Sequence, residues 1–214
     1  MIYLSGAIKA DLLQLGHKKI GAMFQPRSYG MDTVDRWPMF AADNGGYGDR
    51  FDPAVWLPWL DEIARRGDRC LFAVVPDSFN PHDIPGNFAR TQAMWERWHG
   101  EVVDRELRAA WVAQNGATPD DIPPRAGAVF IGGDNGWKTS ERAWAIVSAA
   151  KARGCWVHIG RVNGLPRFWA GAVSGADSAD GNLLKYGYDA NLPALLRFLD
   201  LANQPHLTLF GGAA

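Results

Sequence analysis

Short apolar segments recur along the whole chain, and stretches with the spacing of amphipathic helices separate most of them. Strands that alternate with helices pair in parallel, because a parallel connection needs a crossover that is usually helical. Eight such segments predict one (β/α)8 TIM-like barrel domain over residues 1–214, with an open doubly wound sheet as the alternative. The predicted strands are Ile2–Leu4, Ile20–Phe24, Met39–Ala42, Cys70–Val75, Ala110–Ala113, Ala128–Ile131, Trp156–Ile159 and a short one at Ala172–Ala176.

The connections of such a barrel have to be short, since 214 residues lie near the small end for this architecture. Two irregular segments, 77–86 and 115–125, follow predicted strands and are interpreted as loops over one face of the sheet. Helices are predicted at Ala54–Arg66, Asn87–Trp98, Ser140–Arg153, Pro166–Val173 and Leu192–Ala202.

Composition narrows the class of protein and its setting. The only cysteines, Cys70 and Cys155, lie in apolar segments, which argues against a disulfide framework and favours a reducing, cytoplasmic setting. No segment has the roughly 20 apolar residues that cross a bilayer, and the first residues lack a signal-peptide pattern, so no membrane association is expected. The net charge of −1 gives no general support to a nucleic-acid partner, so any basic surface has to be local.

Polar or acidic residues follow most of the predicted strands. In a barrel these positions meet at the carboxyl-terminal rim, where barrel enzymes place their chemistry. A single acid after a strand is usually a turn or a helix cap. Repetition of the pattern after several successive strands favours a functional site instead. The residues are Asp43, Asp77, Gln114, Gly132 and Gly133, Gly160 and Arg161, and finally Asp177 and Asp180.

Five short motifs carry a resemblance to a known family. They are DNGG at 43–46, VVPD ending at Asp77, VAQNG around Gln114, FIGGD at 130–134 and GADSAD at 175–180. Their order is similar to that in tRNA-guanine transglycosylases, and most similar to their compact phage relatives, the DNA-guanine transglycosylases that insert 7-deazaguanines into DNA. The resemblance extends from about residue 40 to residue 180. It implies a (β/α)8 barrel, in agreement with the strand count, and a protein acting inside a bacterial host cell.

The resemblance also implies roles for the acids. Base exchange with retention at C1′ needs a carboxylate nucleophile and a second acid that handles the proton of the leaving base. Asp180 matches the family's nucleophile, with Asp177 as the alternative. Asp43 matches the general acid/base, and the glycines after it, Gly45 and Gly46, are expected to let the backbone approach the base.

Guanine recognition is implied by the remaining matches. Asp77 is expected to accept from N1–H and N2–H, while Gln114 and the backbone N–H of Gly133 donate to O6. Adenine would leave these buried polar groups unpaired and be rejected. Gly132, Gly160 and Arg161 complete the predicted substrate site. Phe24, Tyr47 and Phe79 are candidates for stacking on the base, although ordinary packing is favoured for each.

The chain departs from the fuller family sequences in QNG at 114–116 and GGD at 132–134, and from the tRNA enzymes most clearly at their zinc site. Their Cys-rich zinc site has no counterpart here, because Cys70 and Cys155 are far apart and the tail contains only His206. We therefore expect no metal and no cofactor, and the missing segment favours DNA, with a free 7-deazaguanine base as second substrate. Two alternatives stay open: an N-glycoside hydrolase or transferase acting on free nucleosides or nucleotides, and a non-catalytic nucleic-acid-binding barrel. The oligomeric state is not predicted.

Two further observations leave alternatives open. His158 closes a predicted strand, where it either faces the rim or is a satisfied histidine of the barrel interior. Basic residues near strand or loop ends, among them Lys138, Arg142, Arg161 and Arg167, would form a phosphate track only if they cluster on one rim.

Overall fold

A computed structural model describes residues 1–46 and 50–204. Eight parallel strands form a closed barrel in chain order, in which the first strand pairs with both the second and the eighth. The predicted TIM barrel is confirmed, and the open sheet is wrong. The strands are β1 (Ile2–Ser5), β2 (Ile20–Phe24), β3 (Phe40–Ala42), β4 (Cys70–Val74), β5 (Ala109–Ala113), β6 (Ala128–Ile131), β7 (Trp156–Ile159) and β8 (Ser178–Gly181).

The helices surround the sheet, and several begin at a capping side chain. Asp52 accepts a hydrogen bond from the Ala54 N–H, and Ser140 accepts one from the Ala143 N–H, which satisfies first-turn donors. Within residues 1–46 and 50–204, no helix has the length and apolar content needed to cross a membrane. The helices are α1 (Ala10–Gln14), α2 (Met31–Asp35), α3 (Pro53–Ala64), α4 (Ile84–Val103), α5 (Glu141–Ala152), α6 (Leu165–Val173) and α7 (Tyr188–Ala202), with 3-10 turns at Gly67–Arg69, Pro119–Asp121 and Trp137–Thr139.

Seven of the predicted strands lie within one residue of the observed ones at each end, but the eighth prediction is wrong. Residues 172–173 end α6, and β8 begins at Ser178. The segment SADG has almost no apolar character, so hydrophobicity could not identify it. Two short helices, α1 and α2, were not predicted either, because five residues are too few to show a helical period.

Two apolar layers hold the barrel together. The larger one lies between the sheet and the helices and includes Trp56, Leu60 and Ile63 of α3. The smaller one fills the barrel interior with alternate residues of the strands, as expected for side chains that point to opposite faces along a strand. Its buried members are Leu4, Ala41, Phe72, Val74, Ala110, Val112 and Ala128. The interior is thus packed, and open space remains at the carboxyl ends of the strands.

Candidate active site

A cavity of about 510 Å³ lies at the carboxyl ends of the strands. The loops that follow β3 to β8 contribute polar groups to it, so residues far apart in sequence meet in one place. Seven of the eleven predicted site residues line this cavity: Asp43, Asp77, Gln114, Gly132, Gly133, Arg161 and Asp180. The other four, Gly45, Gly46, Gly160 and Asp177, lie elsewhere.

Asp77 is held by one amide on each carboxylate oxygen. Asn44 donates from Nδ2 to Oδ1 at 2.8 Å, and Gln114 donates from Nε2 to Oδ2 at 2.9 Å. Burial raises the pKa of Asp77, while the two amides and the charge of Arg161 oppose that rise. Each carboxylate oxygen accepts one amide hydrogen and has a further lone pair for a ligand N–H. Asp77 therefore fits the expected role of acceptor for guanine.

Gln114 differs from the expectation that it donates to a ligand. Its Nε2 group is directed at Asp77 and, at 3.4 Å, at the carbonyl oxygen of Ser78. The side chain is almost fully buried, and its Oε1 has no hydrogen-bond partner within residues 1–46 and 50–204. Gln114 thus orients Asp77. Of the two donors expected for O6, Gly133 remains the candidate, since its backbone N–H forms no hydrogen bond within the described ranges.

The loop after β3 is folded around Asn44, a residue that sequence reasoning missed. Asn44 is buried, and its Oδ1 accepts the Gly46 N–H at 2.6 Å. A Cβ at Gly46 would lie 2.8 Å from that Oδ1 and 3.3 Å from the Asp77 carbonyl oxygen. Gly46 therefore allows Asn44 and Asp77 to approach each other, not the base. Gly45 lines a smaller neighbouring cavity of about 220 Å³.

Asp43, the acid before this loop, is half-buried in the cavity wall. Its backbone N–H donates to the Phe24 carbonyl at 2.7 Å, which extends the β2–β3 pairing by one bond. Burial raises the pKa of Asp43 to about 7, and the neighbouring charges of Asp77 and Asp180 add to the rise. A carboxyl group that titrates near neutrality can both give and take a proton, as a general acid/base must.

Asp180 is held through a single oxygen. His158 approaches Oδ1 with Nε2 at 3.0 Å, and the backbone N–H of Arg161 donates to the same atom at 2.9 Å. Arg161 reaches this position with a φ of 53°, in the left-handed region. No group of the described residues forms a hydrogen bond to Oδ2. The second oxygen of Asp180 is therefore the one available to a substrate.

Asp177 lies at the opposite end of the barrel, because it precedes β8 and Asp180 lies within it. Its carboxylate forms an ion pair with Lys151 at 2.7 Å and accepts the Val157 N–H at 2.7 Å. Three residues of strand separate the two acids by roughly 10 Å. Asp177 is therefore ruled out as the nucleophile of this cavity, and it stabilises the amino-terminal end of β7 and β8 instead.

Lys138 is a second residue whose role sequence reasoning missed. It lies in the 3-10 turn after β6, is 6% exposed, and donates from Nζ to the Gly160 carbonyl at 2.8 Å. Burial and the nearby Arg161 lower the pKa of Lys138 to about 8. Gly160 does not line the cavity; a Cβ there would lie 2.3 Å from the Phe130 ring, so the glycine allows this packing. Its carbonyl oxygen orients the lysine.

Lys138, Arg161 and Arg167 surround one recess beside the cavity, so these predicted basic residues do cluster on one rim. Within the described ranges, neither Lys138 nor Arg167 forms a salt bridge with a carboxylate. Of the candidates for stacking, Phe79 lines the cavity and lies under the Arg161 guanidinium at 4.9 Å. Phe24 is a buried core residue that packs on Phe40. Tyr47 lies outside the described residues.

Acidic, histidine and cysteine side chains are the groups that could hold a metal ion. In the part of the chain that the structure describes, no three of them are grouped so that they could hold an ion. His206 lies outside that part. The absence of a metal stays a prediction.

Comparison with known proteins establishes the fold alone. No protein-family model matches the chain, and no curated protein matches it. Among solved structures, one described as "Native KDPGal structure" is 13% identical, covers 94% of each chain and superposes with a TM-score of 0.53. A cube-shaped, highly porous protein cage designed by fusing symmetric oligomeric domains is 14% identical, covers 94% of this chain and 72% of the other, with a TM-score of 0.50.

Proposed function

We propose that the protein is a base-exchange glycosyltransferase that replaces guanine in DNA with a 7-deazaguanine through a covalent aspartyl–sugar intermediate. The observation that carries the proposal is that Asp43 and Asp180 line one cavity but have different surroundings. Asp180 presents one unoccupied oxygen, and Asp43 is a half-buried carboxyl group next to two other acids. A third acid, Asp77, is already fixed by amides and is suited to reading a base.

The first displacement removes the resident base. Oδ2 of Asp180 attacks C1′ of the deoxyribose from the face opposite the base, a C1′–O bond forms, and the C1′–N9 bond breaks. The bonding pair stays on N9 of guanine, which takes the proton of the Asp43 carboxyl group. A pKa of about 7 means that much of Asp43 carries this proton at neutral pH.

The second displacement installs the new base. The N9–H of the incoming 7-deazaguanine gives its proton to the Asp43 carboxylate, and N9 attacks C1′. The C1′–O bond to Asp180 breaks and its electron pair returns to the carboxylate. Two inversions give net retention, the logic shared by retaining glycosidases. Asp43 ends each cycle protonated and Asp180 ionised, so no outside acid or base is consumed.

Selection of guanine follows from the polar groups around Asp77. Its two oxygens accept from N1–H and the exocyclic N2–H, and the Gly133 N–H donates to O6. Adenine offers no N1–H and places a donor where O6 would be, so it leaves Asp77 and Gly133 unpaired. A site built on such hydrogen bonds discriminates more strongly than an apolar pocket does.

The cations on the same rim favour a polynucleotide over a free nucleoside. Lys138 is buried without a carboxylate partner in the described ranges, and Arg167 lies beside the same recess. A phosphate next to the attacked sugar would supply the missing counter-charge. A base stacked in a duplex would have to leave the helix to enter this cavity at the carboxyl ends of the strands, as other base-modifying enzymes require.

The proposal is tested by incubating a guanine-containing oligonucleotide with the protein and isotope-labelled guanine or a 7-deazaguanine, followed by nucleoside mass analysis. Incorporation of the label into the polymer is expected, and Asp180→Asn should abolish it. Release of guanine without incorporation would identify a hydrolase. Absence of both, with retained binding, would identify a non-catalytic barrel. Either of these results refutes base exchange.

A further inference from the structure

We infer that His158 is a positioning residue for Asp180, acting at the end of a hydrogen-bond chain that crosses the barrel interior from Trp156 through Ser178. The inference rests on the proposed function only where it takes Asp180 as the nucleophile. The chain itself is a property of β7 and β8 and can be tested without any substrate.

The chain is built from alternate residues of two paired strands. Trp156 and His158 lie on β7, Ser178 and Asp180 lie on β8, and His158 is opposite Ser178 in the register. Trp156 donates from Nε1 to Ser178 Oγ at 2.8 Å. His158 Nδ1 lies 2.9 Å from that oxygen, and His158 Nε2 lies 3.0 Å from Asp180 Oδ1.

The direction of each hydrogen bond follows from the chemistry of the donors. An indole N–H can only donate, so Ser178 Oγ accepts from Trp156. The hydroxyl proton of Ser178 then needs an acceptor, and His158 Nδ1 is the one within reach in the described part of the chain. A ring that accepts at Nδ1 carries its proton on Nε2 when neutral. His158 therefore donates to Asp180, and the chain sets its tautomer.

The polar side chains of this hydrogen-bond chain are buried, so simple packing of the barrel interior does not explain them. His158 and Ser178 are both 0% exposed, and the rings of Phe72 and Phe130 lie 5.0 and 4.7 Å from the imidazole. Polar groups in such surroundings destabilise the fold unless each is paired. In the described strands, Ser5 is the one buried polar residue outside this series, and its Oγ donates locally to the Ala7 carbonyl at 2.8 Å, so the polar series is confined to the two strands that lead to Asp180.

The hydrogen-bond chain makes the two carboxylate oxygens of Asp180 different from each other. His158 and the Arg161 backbone N–H both occupy Oδ1, which fixes the carboxylate rotation and leaves Oδ2 to attack C1′. Loss of one of the two donors would let the carboxylate rotate. A misplacement of about 1 Å in a reacting group costs about 10²-fold in rate.

A pair of substitutions at His158 tests this role. His158→Gln keeps an N–H near the position of Nε2, whereas His158→Met fills the space without a donor. For the Met variant we expect kcat to fall about 10²-fold with an unchanged KM for DNA, and for the Gln variant a loss of less than about 10-fold. A folded Met variant with the rate of the unaltered protein would overturn the inference, as would equal losses in both variants.

Nitrogen NMR of the histidine ring gives a second, substrate-free measurement, with His158→Gln assigning the signal. We expect Nε2 to carry the ring proton and Nδ1 to accept in the unaltered protein, and we expect mixed tautomers in Ser178→Ala. A ring protonated at Nδ1 would overturn the inference even if base exchange is observed. A protein that exchanges no base but has the Nε2–H tautomer would refute the proposed function and keep the hydrogen-bond chain.

Discussion

Gln114 donates a 2.9 Å hydrogen bond from Nε2 to Oδ2 of Asp77, and the two residues follow neighbouring strands of the barrel. Asn44 makes the matching contact to Oδ1 from the strand on the other side. Asp77 is therefore oriented by both of its neighbours in the sheet. Its acceptor oxygens are fixed before any base arrives, and this preorganisation underlies the first prediction.

Asp77→Asn should weaken guanine binding and relax the preference over adenine. The new amide has one donor group, which would face the Nδ2 of Asn44 or the Nε2 of Gln114, and it lacks the charge that accepts from guanine. Loss of a hydrogen bond to a charged group corresponds to about 10- to 100-fold in affinity. Inhibition constants of free guanine and adenine measure the effect. Asp120→Asn, the same change at an exposed position, should alter neither, and an unaffected Asp77→Asn protein would show that the base binds elsewhere.

Asp180→Asn and Asp177→Asn should have different effects, although the two acids are three residues apart. An amide is a poor nucleophile, so the first variant should form no covalent adduct with an oligonucleotide on a denaturing gel. The second should form the adduct at the normal rate and lose about 1 kcal/mol of stability, since its ion pair with Lys151 is partly exposed. Adduct formation by Asp180→Asn would place the nucleophile on another residue.

The rate of adduct formation should fall above about pH 7, because the first displacement uses the protonated form of Asp43. Single-turnover measurements between pH 5.5 and pH 8.5 should show roughly a tenfold decrease for each unit above that pKa. Asp43→Asn cannot donate this proton and should be about 10²- to 10⁴-fold slower, with no such decrease. A pH profile that is the same in both proteins would assign the proton to another group.

The titration of Asp43 should also change the stability of the fold. The stability should fall as the pH rises, whereas an acid in a salt bridge would make it rise. The folded pKa of Asp43 is raised from 3.8 to about 7, so the folded state resists ionisation that the unfolded chain accepts. This contribution to stability is present below about pH 4 and is lost as the pH rises through about 7. The melting temperature of Asp43→Asn relative to the unaltered protein should therefore increase from pH 4 to pH 7, by at least about 2 °C.

Lys138→Met should reduce the salt dependence of DNA binding. If Lys138 contacts one phosphate, the slope of log K against log salt concentration should become less negative by roughly one unit or slightly less. Arg142→Gln removes an exposed cation of α5 close by in sequence and serves as the matched control. Binding isotherms at several salt concentrations provide the measurement. Equal slopes for all three proteins would remove Lys138 from the phosphate contacts.

The strands that could be predicted from the sequence are those built from apolar residues, because an apolar segment indicates burial. β6 is a continuous apolar segment and β7 is apolar except for His158, and both were identified to the residue. Asp43 and Asp77 were identified because each follows such a strand. β8 was misplaced because Ser178 and Asp180 are polar on its inner face, where partners from β7 satisfy them.

The contacts of Asn44, Lys138 and His158 could not be predicted for a related reason, although a satisfied histidine of the barrel interior was one of the two alternatives for His158. Each is a polar residue buried by neighbours that are distant in sequence, and no local pattern marks a polar side chain whose partner lies on another strand. Asn44 binds Asp77, Lys138 binds the Gly160 carbonyl, and His158 binds Asp180. Such contacts become visible only when the barrel is closed.

Closure of the barrel between β1 and β8 also bears on how the protein is made. Leu4 is the register partner of Asp180, so the strand that carries the proposed nucleophile is flanked by β1, from the other end of the described chain, and by β7. An unfinished chain that stops before Ser178 has an open sheet with two unpaired edges, which invite aggregation. It also lacks Asp180, the proposed nucleophile. If the proposed function holds, a chain interrupted before β8 should therefore neither remove a guanine nor replace one.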